Sequence, residues 1–325
     1  MRRRALFLAF LFLLPSFIPP QTVVSMKIDG NINPVAAQFI HRGIETARDQ
    51  NAQCLLIQLN TPGGLLKSTR MIVGDMLASP VPVVVYVAPD GARAGSAGVF
   101  ITLAAHIAAM SPGTNIGAAH PVGTQGQVDK VMDEKITNDA AAFIRTIAGN
   151  RKRNVEWAEE AVRKSISVTA NEALRNNVID LVAGNEQELL NRIDGRTIEM
   201  ASGTTTLHTK NVRVTSLEMS LGERILDVLS DPDMAYILLM LGLYGLLFEL
   251  YNPGAILPGV VGFISLILAF YSLQTLPVNY AGLALIIFAI ILFLLEIKIV
   301  SHGLLAIGGV VALFLGSMML IPANP

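Results

Sequence analysis

Between Met234 and Pro325 only three side chains carry a charge: Glu249, Glu296 and Lys298. The segment divides into four apolar runs, at about 234–251, 255–273, 279–297 and 302–321. Each is about 20 residues long, the length at which a helix crosses the ~30 Å hydrocarbon core of a bilayer. The runs also repeat. "LLFELYNPGAILPGVVG" and "LFLLEIKIVSHGLLAIGGVV" share an apolar run, a glutamate, a polar break, then glycine, an aliphatic pair and glycine. Glu249 thus matches Glu296, Gly254 matches Gly303 and Gly259 matches Gly308, which predicts two copies of a helical hairpin joined through "SLQTLPVNYAG". Glu249, Glu296 and Lys298 fall near membrane boundaries, where capping of a hairpin or snorkelling explains them; a functional intramembrane carboxylate is the sharper alternative.

The first 233 residues hold all the other charges. They begin with "MRRRALFLAFLFLL", three arginines before an apolar core, which is the layout of a secretory signal or signal anchor over residues 1–20. The segment that follows is expected to be exported. With the soluble part outside, Lys298 lies on the cytoplasmic side, as the positive-inside tendency prefers. The expected location is the cell (inner) membrane, multi-pass, with the soluble domain extracytoplasmic or periplasmic. A formal net charge of −1 and no basic stripe give no reason to expect a nucleic-acid partner. The single cysteine, Cys54, excludes an internal disulfide and reads as a small buried hydrophobe.

From residue 21 to about 185, strand-like and helix-like runs alternate. "TVVSMKI", "CLLIQLN" and "VPVVVYVA" read as strands. "NPVAAQFIHRGIETARDQ" reads as a helix capped by Asn33 with Pro34 at its first position. "LLKSTRMIVGDMLAS" and "DEKITNDAAAFIRTIAGN" are helical too. This alternation predicts an α/β fold with a largely parallel sheet. "TIEM" and "VRVTS" read as a small β addition, and "SLGERILDVLSDPD" leads to the membrane. The expected domains are a soluble unit at 21–230 and an all-α transmembrane unit at 231–325.

Chemistry concentrates at "GARAGSAGVFITLAAH", where Ser96 lies between a strand and an apolar helix with only Gly and Ala beside it. Any tight strand-to-helix turn favours small neighbours, and so does a nucleophile that a peptide backbone must approach. A second glycine loop, "TPGG" at Thr61–Gly64, also closes a strand. In a parallel sheet both loops lie at the carboxyl edge, where Gly64 and Ala97 amides could donate to an oxyanion. A serine nucleophile needs a base. His120 in "GAAHPVG" and Lys135 in "DEKITND" are the candidates. His41, His106 and His208 stand singly and offer no metal-ligand spacing, so no metal or other cofactor is implied.

Five blocks, "LNTPGG", "VVVYVAPDGARAGSAGVFI", "MSPGTNIGAAHPVG", "EKITNDAAAFIR" and "SVTANEALRNNVIDLV", together resemble the NfeD-type membrane serine proteases of the Clp-protease and crotonase-like superfamily. The resemblance covers roughly residues 21–322. It implies a Clp-like soluble domain followed by transmembrane helices, and a Ser–Lys dyad with the serine on Ser96 and the lysine on Lys135. It also puts the glycine loop on Gly63 and Gly64, with Gly95 packed beside the serine. Soluble Clp proteases use Ser–His–Asp instead: their histidine falls on His120, but their aspartate falls near Ser165, which is not acidic. The resemblance further implies an oligomer, at least a dimer, and a stomatin-like membrane protein as substrate or partner. Long members carry a soluble OB-like domain after the helices; this sequence ends at "LIPANP". A non-proteolytic scaffold and a crotonase-type acyl-CoA enzyme are the rival readings; the second needs a cytosolic substrate.

Overall fold

The structure is a computed structural model, describing residues 21–121, 130–200, 203–252, 256–273, 280–298 and 303–320. The leader at 1–20 and the linker at 274–279 lie outside these residues. In chain order the elements begin with β1 (Thr22–Asp29), α1 (Pro34–Asp49), β2 (Leu55–Asn60), α2 (Leu66–Leu77), β3 (Val83–Val87), β4 (Arg93–Gly95) and α3 (Ala97–Ala104). There follow β5 (Ile107–Met110), β6 (Asn115–Gly117), α4 (Lys130–Asn150), α5 (Val155–Arg163), β7 (Ser167–Thr169), α6 (Ala170–Arg175), β8 (Leu181–Val182) and α7 (Glu186–Ile193). The soluble part closes with β9 (Thr197–Met200), β10 (Gly203–Thr206), β11 (Arg213–Leu217) and α8 (Leu221–Leu229).

Six strands form one parallel sheet in the order β11-β1-β2-β3-β5-β8. The central strands β3 and β5 are continuous apolar runs because both faces are covered. Leu55, Ile57 and Leu59 of β2, with Val83, Val85 and Val87 of β3, face the core under α1 to α5. The alternate residues Cys54, Leu56, Val84 and Tyr86 face a second core completed by Leu189, Leu190 and Ile193 of α7. Cys54 is buried there as a small hydrophobe, and burial pushes its thiol up to about 12. α1 starts where the sequence predicts: the Asn33 side chain accepts a hydrogen bond from Ala36 N–H at 2.8 Å, with Pro34 at the first position. Such a cap contributes about 1 kcal/mol.

The β addition divides. "TIEM" pairs with β10 as an antiparallel hairpin. "VRVTS", expected beside it, instead supplies β11, which joins the main sheet parallel to β1 with Thr22 opposite Arg213. That position satisfies the free edge of β1, which a detached ribbon would leave open.

Four apolar helices follow: α9 (Pro232–Tyr251), α10 (Ile256–Leu273), α11 (Tyr280–Lys298) and α12 (Leu304–Leu320). Among the described residues Asp233–Tyr251 is long and apolar enough to cross a membrane, and the other three helices contain shorter apolar stretches. α9 packs on α10 and α11 on α12. The first hairpin closes through glycines: a Cβ on Gly262 would lie 2.9 Å from Gly242 O and from Leu246 N. Small residues let apolar helices approach to backbone contact in lipid. The two glutamates serve the hairpin ends. Glu296 accepts hydrogen bonds from Gly303 N–H (2.9 Å) and Ala306 N–H (3.2 Å), capping α12. The Glu249 carboxylate occupies the space a side chain at Gly259 would fill, over the first turn of α10.

Candidate active site

Ser96 is positioned by two small strands rather than by β3 directly. After β3 the chain turns and forms β4, which pairs parallel with β6 and, through Thr61 and Ala94, touches the end of β2. Ser96 N–H donates to Gly117 O at 3.2 Å. At the start of α3 the serine adopts φ 47° and ψ −107° and its side chain does not cap the helix. A non-glycine residue there stores about 1–3 kcal/mol of backbone strain, a feature of sharp turns that present a nucleophile.

The glycine loop lies against this turn. Thr61 Oγ1 accepts from Gly63 N–H at 3.0 Å and donates to Gly63 O at 3.1 Å. Ile32 N–H also donates to Gly63 O, and Ile32 O accepts from Leu65 N–H, each at 2.8 Å. Gly63 and Gly64 have φ +136° and +159°. A Cβ on Gly63 would lie 2.7 Å from Ser96 Cβ, and one on Gly64 would lie 2.2 Å from Ile32 O. Gly95 is tight for a similar reason, its Cβ direction meeting Pro62 O at 2.8 Å. Among the described residues Gly64 N–H and Ala97 N–H donate to no group of the chain. Two free amides beside a serine hydroxyl can stabilise a developing oxyanion.

Ser96, Gly64 and Ala97 open into a cavity of about 260 Å³, walled by Leu65, Phe100, Ile136 and Ala140 among others. The walls are apolar, so the cavity suits an apolar side chain. Ile136 and Ala140 belong to α4, held here by contacts that sequence reasoning did not identify. Phe143 stacks on Phe100 with centroids 5.8 Å apart. The Arg70 guanidinium lies 4.3 Å from the Phe143 ring and pairs with Asp139 at 2.6 Å. Their spacing of 69 residues, Arg70 to Asp139, leaves no local signal.

The two candidate bases differ in setting. His120 is half-buried, and its Nδ1–H donates to Val162 O at 2.9 Å, which turns the ring toward α5. Its neighbours Ala119 and Pro121 line the cavity; the histidine does not. Lys135 is exposed on α4, next to Ile136 at the cavity wall. Among the described residues neither base hydrogen-bonds Ser96. The same residues contain no group of three His, Cys, Asp or Glu placed to hold a metal.

Residues 22–216 match the family model for the NfeD1b N-terminal domain, and residues 233–325 match that for the NfeD integral membrane domain. The chain belongs to the NfeD1b family. The membrane-bound protease PH1510 of Pyrococcus horikoshii is 36% identical over 98% of this chain and 74% of its own length. The membrane protein NfeD1b of Bacillus subtilis is 31% identical over 91% of this chain and 67% of its own. Two solved structures are similar to the soluble part. One is a serine-to-alanine mutant of the 1510-N membrane-bound stomatin-specific protease, with TM-score 0.59, 35% identity, and coverage of 62% of this chain and 100% of that one. The other is a lysine-to-alanine mutant in complex with a substrate peptide, with TM-score 0.60, 34% identity, and coverage of 64% and 97%. This NfeD1b-family chain is a membrane protein and a serine protease, built on the same α/β fold as the 1510-N domain.

Proposed function

We propose that this chain is a membrane-anchored endopeptidase in which Ser96 is the nucleophile and Lys135 the general base. The observation that carries this reading is the strained Ser96 turn, packed on Gly63 and open to an apolar cleft with two undonated amides. Ser96 Oγ attacks the scissile carbonyl carbon while Lys135 Nζ takes the hydroxyl proton. The carbonyl oxygen, now negative, receives Gly64 N–H and Ala97 N–H. Collapse breaks the C–N bond, and the proton passes from Lys135 to the leaving amine. Water then hydrolyses the acyl-serine by the same steps in reverse. His120 is the weaker candidate because the position that carries the orienting aspartate of the soluble Clp proteases falls near Ser165 here, which is not acidic. The protease unit spans 21–230 and the membrane unit 231–325, with the protease outside the cytoplasm and at least two copies in the active assembly. The substrate is a stomatin-like membrane protein, by relationship to the stomatin-specific 1510-N protease.

The test is fluorophosphonate labelling of the full chain, followed by cleavage assays of Ser96→Ala, Lys135→Ala and His120→Ala. Wild type should label on Ser96. The first two variants should each lose about a thousandfold or more in kcat/KM with unchanged thermal stability, since paired groups act as a unit. His120→Ala should lose less than about tenfold. A larger loss for His120 than for Lys135 would move the base to the histidine. Full activity in Ser96→Ala, or no labelling of an intact chain, would favour a scaffold.

A further inference from the structure

We propose that α8 is a membrane-contact helix, lying along the bilayer interface with its exposed apolar stripe among the lipid chains and holding the soluble domain against the membrane. Leu221, Ile225 and Val228 recur at helical spacing and are 79%, 60% and 52% exposed on the folded chain. An unpartnered apolar stripe of this kind needs an occupant. Its position identifies lipid. α8 ends at Leu229 and α9 begins at Pro232, so the stripe stands at the point where the chain enters the membrane. The Ser272 hydroxyl, one residue before the end of α10, donates to Leu229 O, which places the end of α8 level with the returning end of the hairpin. Beyond the short polar turn at 230–233, exposed apolar side chains resume with Tyr236 and Ile237 of α9, 63% and 54% exposed, while Tyr271 is 41% exposed at the end of α10. Tyrosines at that level are characteristic of the membrane–water boundary.

The opposite side of α8 is fastened to the protein. Arg42 of α1 grips both Glu223 oxygens, at 2.6 and 3.0 Å. Asn33 donates to Asp227 at 2.7 Å. A helix whose polar face is spent on protein contacts and whose apolar face is bare fits an interfacial helix held by apolar burial. The fastening also reaches the cleft, because Asn33 follows Ile32, the residue hydrogen-bonded to the Gly63 loop.

The experiment places nitroxide spin labels on single introduced cysteines in the full chain, reconstituted in phosphatidylethanolamine–phosphatidylglycerol vesicles. Native Cys54 is fully buried with its thiol pushed up to about 12, so it stays unlabelled. Labels at Leu221 and Ile225 replace exposed side chains and leave the fold intact; a label at Asp49, exposed at the far end of α1, is the control. The positions on α8 should collide more with oxygen than with a water-soluble nickel chelate, and the control should show the reverse. Preferential collision with the nickel chelate on α8 would mean that the stripe faces water and would overturn the proposal. Dipolar broadening with access to neither reagent would mean that a second copy covers the stripe, and would overturn it equally.

Discussion

A methyl group added to Gly63 would lie 2.7 Å from Ser96 Cβ and 3.1 Å from its Oγ, at a backbone φ of +136°. Both the space and the conformation are therefore reserved for glycine. Gly63→Ala should destabilise the soluble domain by about 1–3 kcal/mol and displace the serine. The measurement is paired: a thermal melt, and fluorophosphonate labelling below the melting point, where the folded variant should react far more slowly than wild type. Unchanged labelling would show that the loop can yield. His106 carries a separate prediction. Its Nδ1 accepts from Val83 N–H at 3.1 Å, so the neutral ring holds the first residue of β3. Burial, with Arg151 and Arg153 nearby, pulls its pKa down from 6.5 to about 3. The unfolded chain binds this proton more readily than the folded one, so stability is fully present above about 6.5 and lost as the pH falls toward about 3. The slope is about 1.4 kcal/mol per pH unit, and the total is a few kcal/mol at most. Denaturant unfolding across that window should show uptake of one proton, and His106→Asn, which keeps an acceptor near Nδ1, should remove that component of the slope.

At the scale of elements, the first membrane hairpin depends on bare backbone where α9 meets α10. Gly262 faces Gly242 O and Leu246 N at 2.9 Å from its Cβ direction, and Gly245 faces Gly262 Cα at 2.8 Å. Lipid offers no hydrophobic drive between helices, so close packing supplies the association. Gly262→Leu should separate α9 from α10 without removing either helix. Helicity by circular dichroism should be retained while the detergent-solubilised chain melts earlier, and a melt identical to wild type would refute the contact. The sequence repeat is only partly a structural repeat. Glu296 caps its neighbouring helix through backbone amides, while Glu249 fills the gap over Gly259; a Cβ added at Gly308, the match of Gly259, would meet Leu292 at an ordinary 3.4 Å.

At the scale of the whole molecule, the proposed topology has the four apolar helices crossing as two hairpins, which would return the chain to the side it started from. In the proposed topology the leader is an export signal and Lys298 stays inside, as the positive-inside tendency prefers, so that the protease domain is outside the cytoplasm. Alkaline phosphatase fused after Ser216 or after Pro325 should be active, and a fusion at Lys298 should be silent. An active fusion at Lys298 with a silent one at Ser216 would invert the topology.

What one sequence determines by itself here is everything carried by local period. The continuous apolar runs "CLLIQLN" and "VPVVVYVA", the Asn33–Pro34 helix start and the four apolar runs each depend on neighbours within a few residues, and they appear as strands, cap and helices. The bare turn around Ser96 was legible for the same reason, as was the paired "TPGG" loop. Tertiary structure alone decided which segments meet. Nothing local to "VRVTS" distinguishes a ribbon from an edge strand; the open side of β1, nearly the whole domain away in sequence, does. Nothing in "GAAHPVG" reveals that the His120 ring turns to Val162 O, because that choice belongs to the packing of α5. The Arg70–Phe143–Phe100 stack and the Asn33–Asp227 tie likewise join residues whose separation carries no period. Periodicity encodes the faces of an element, whereas partners across a fold are chosen by which contacts can all be satisfied at once.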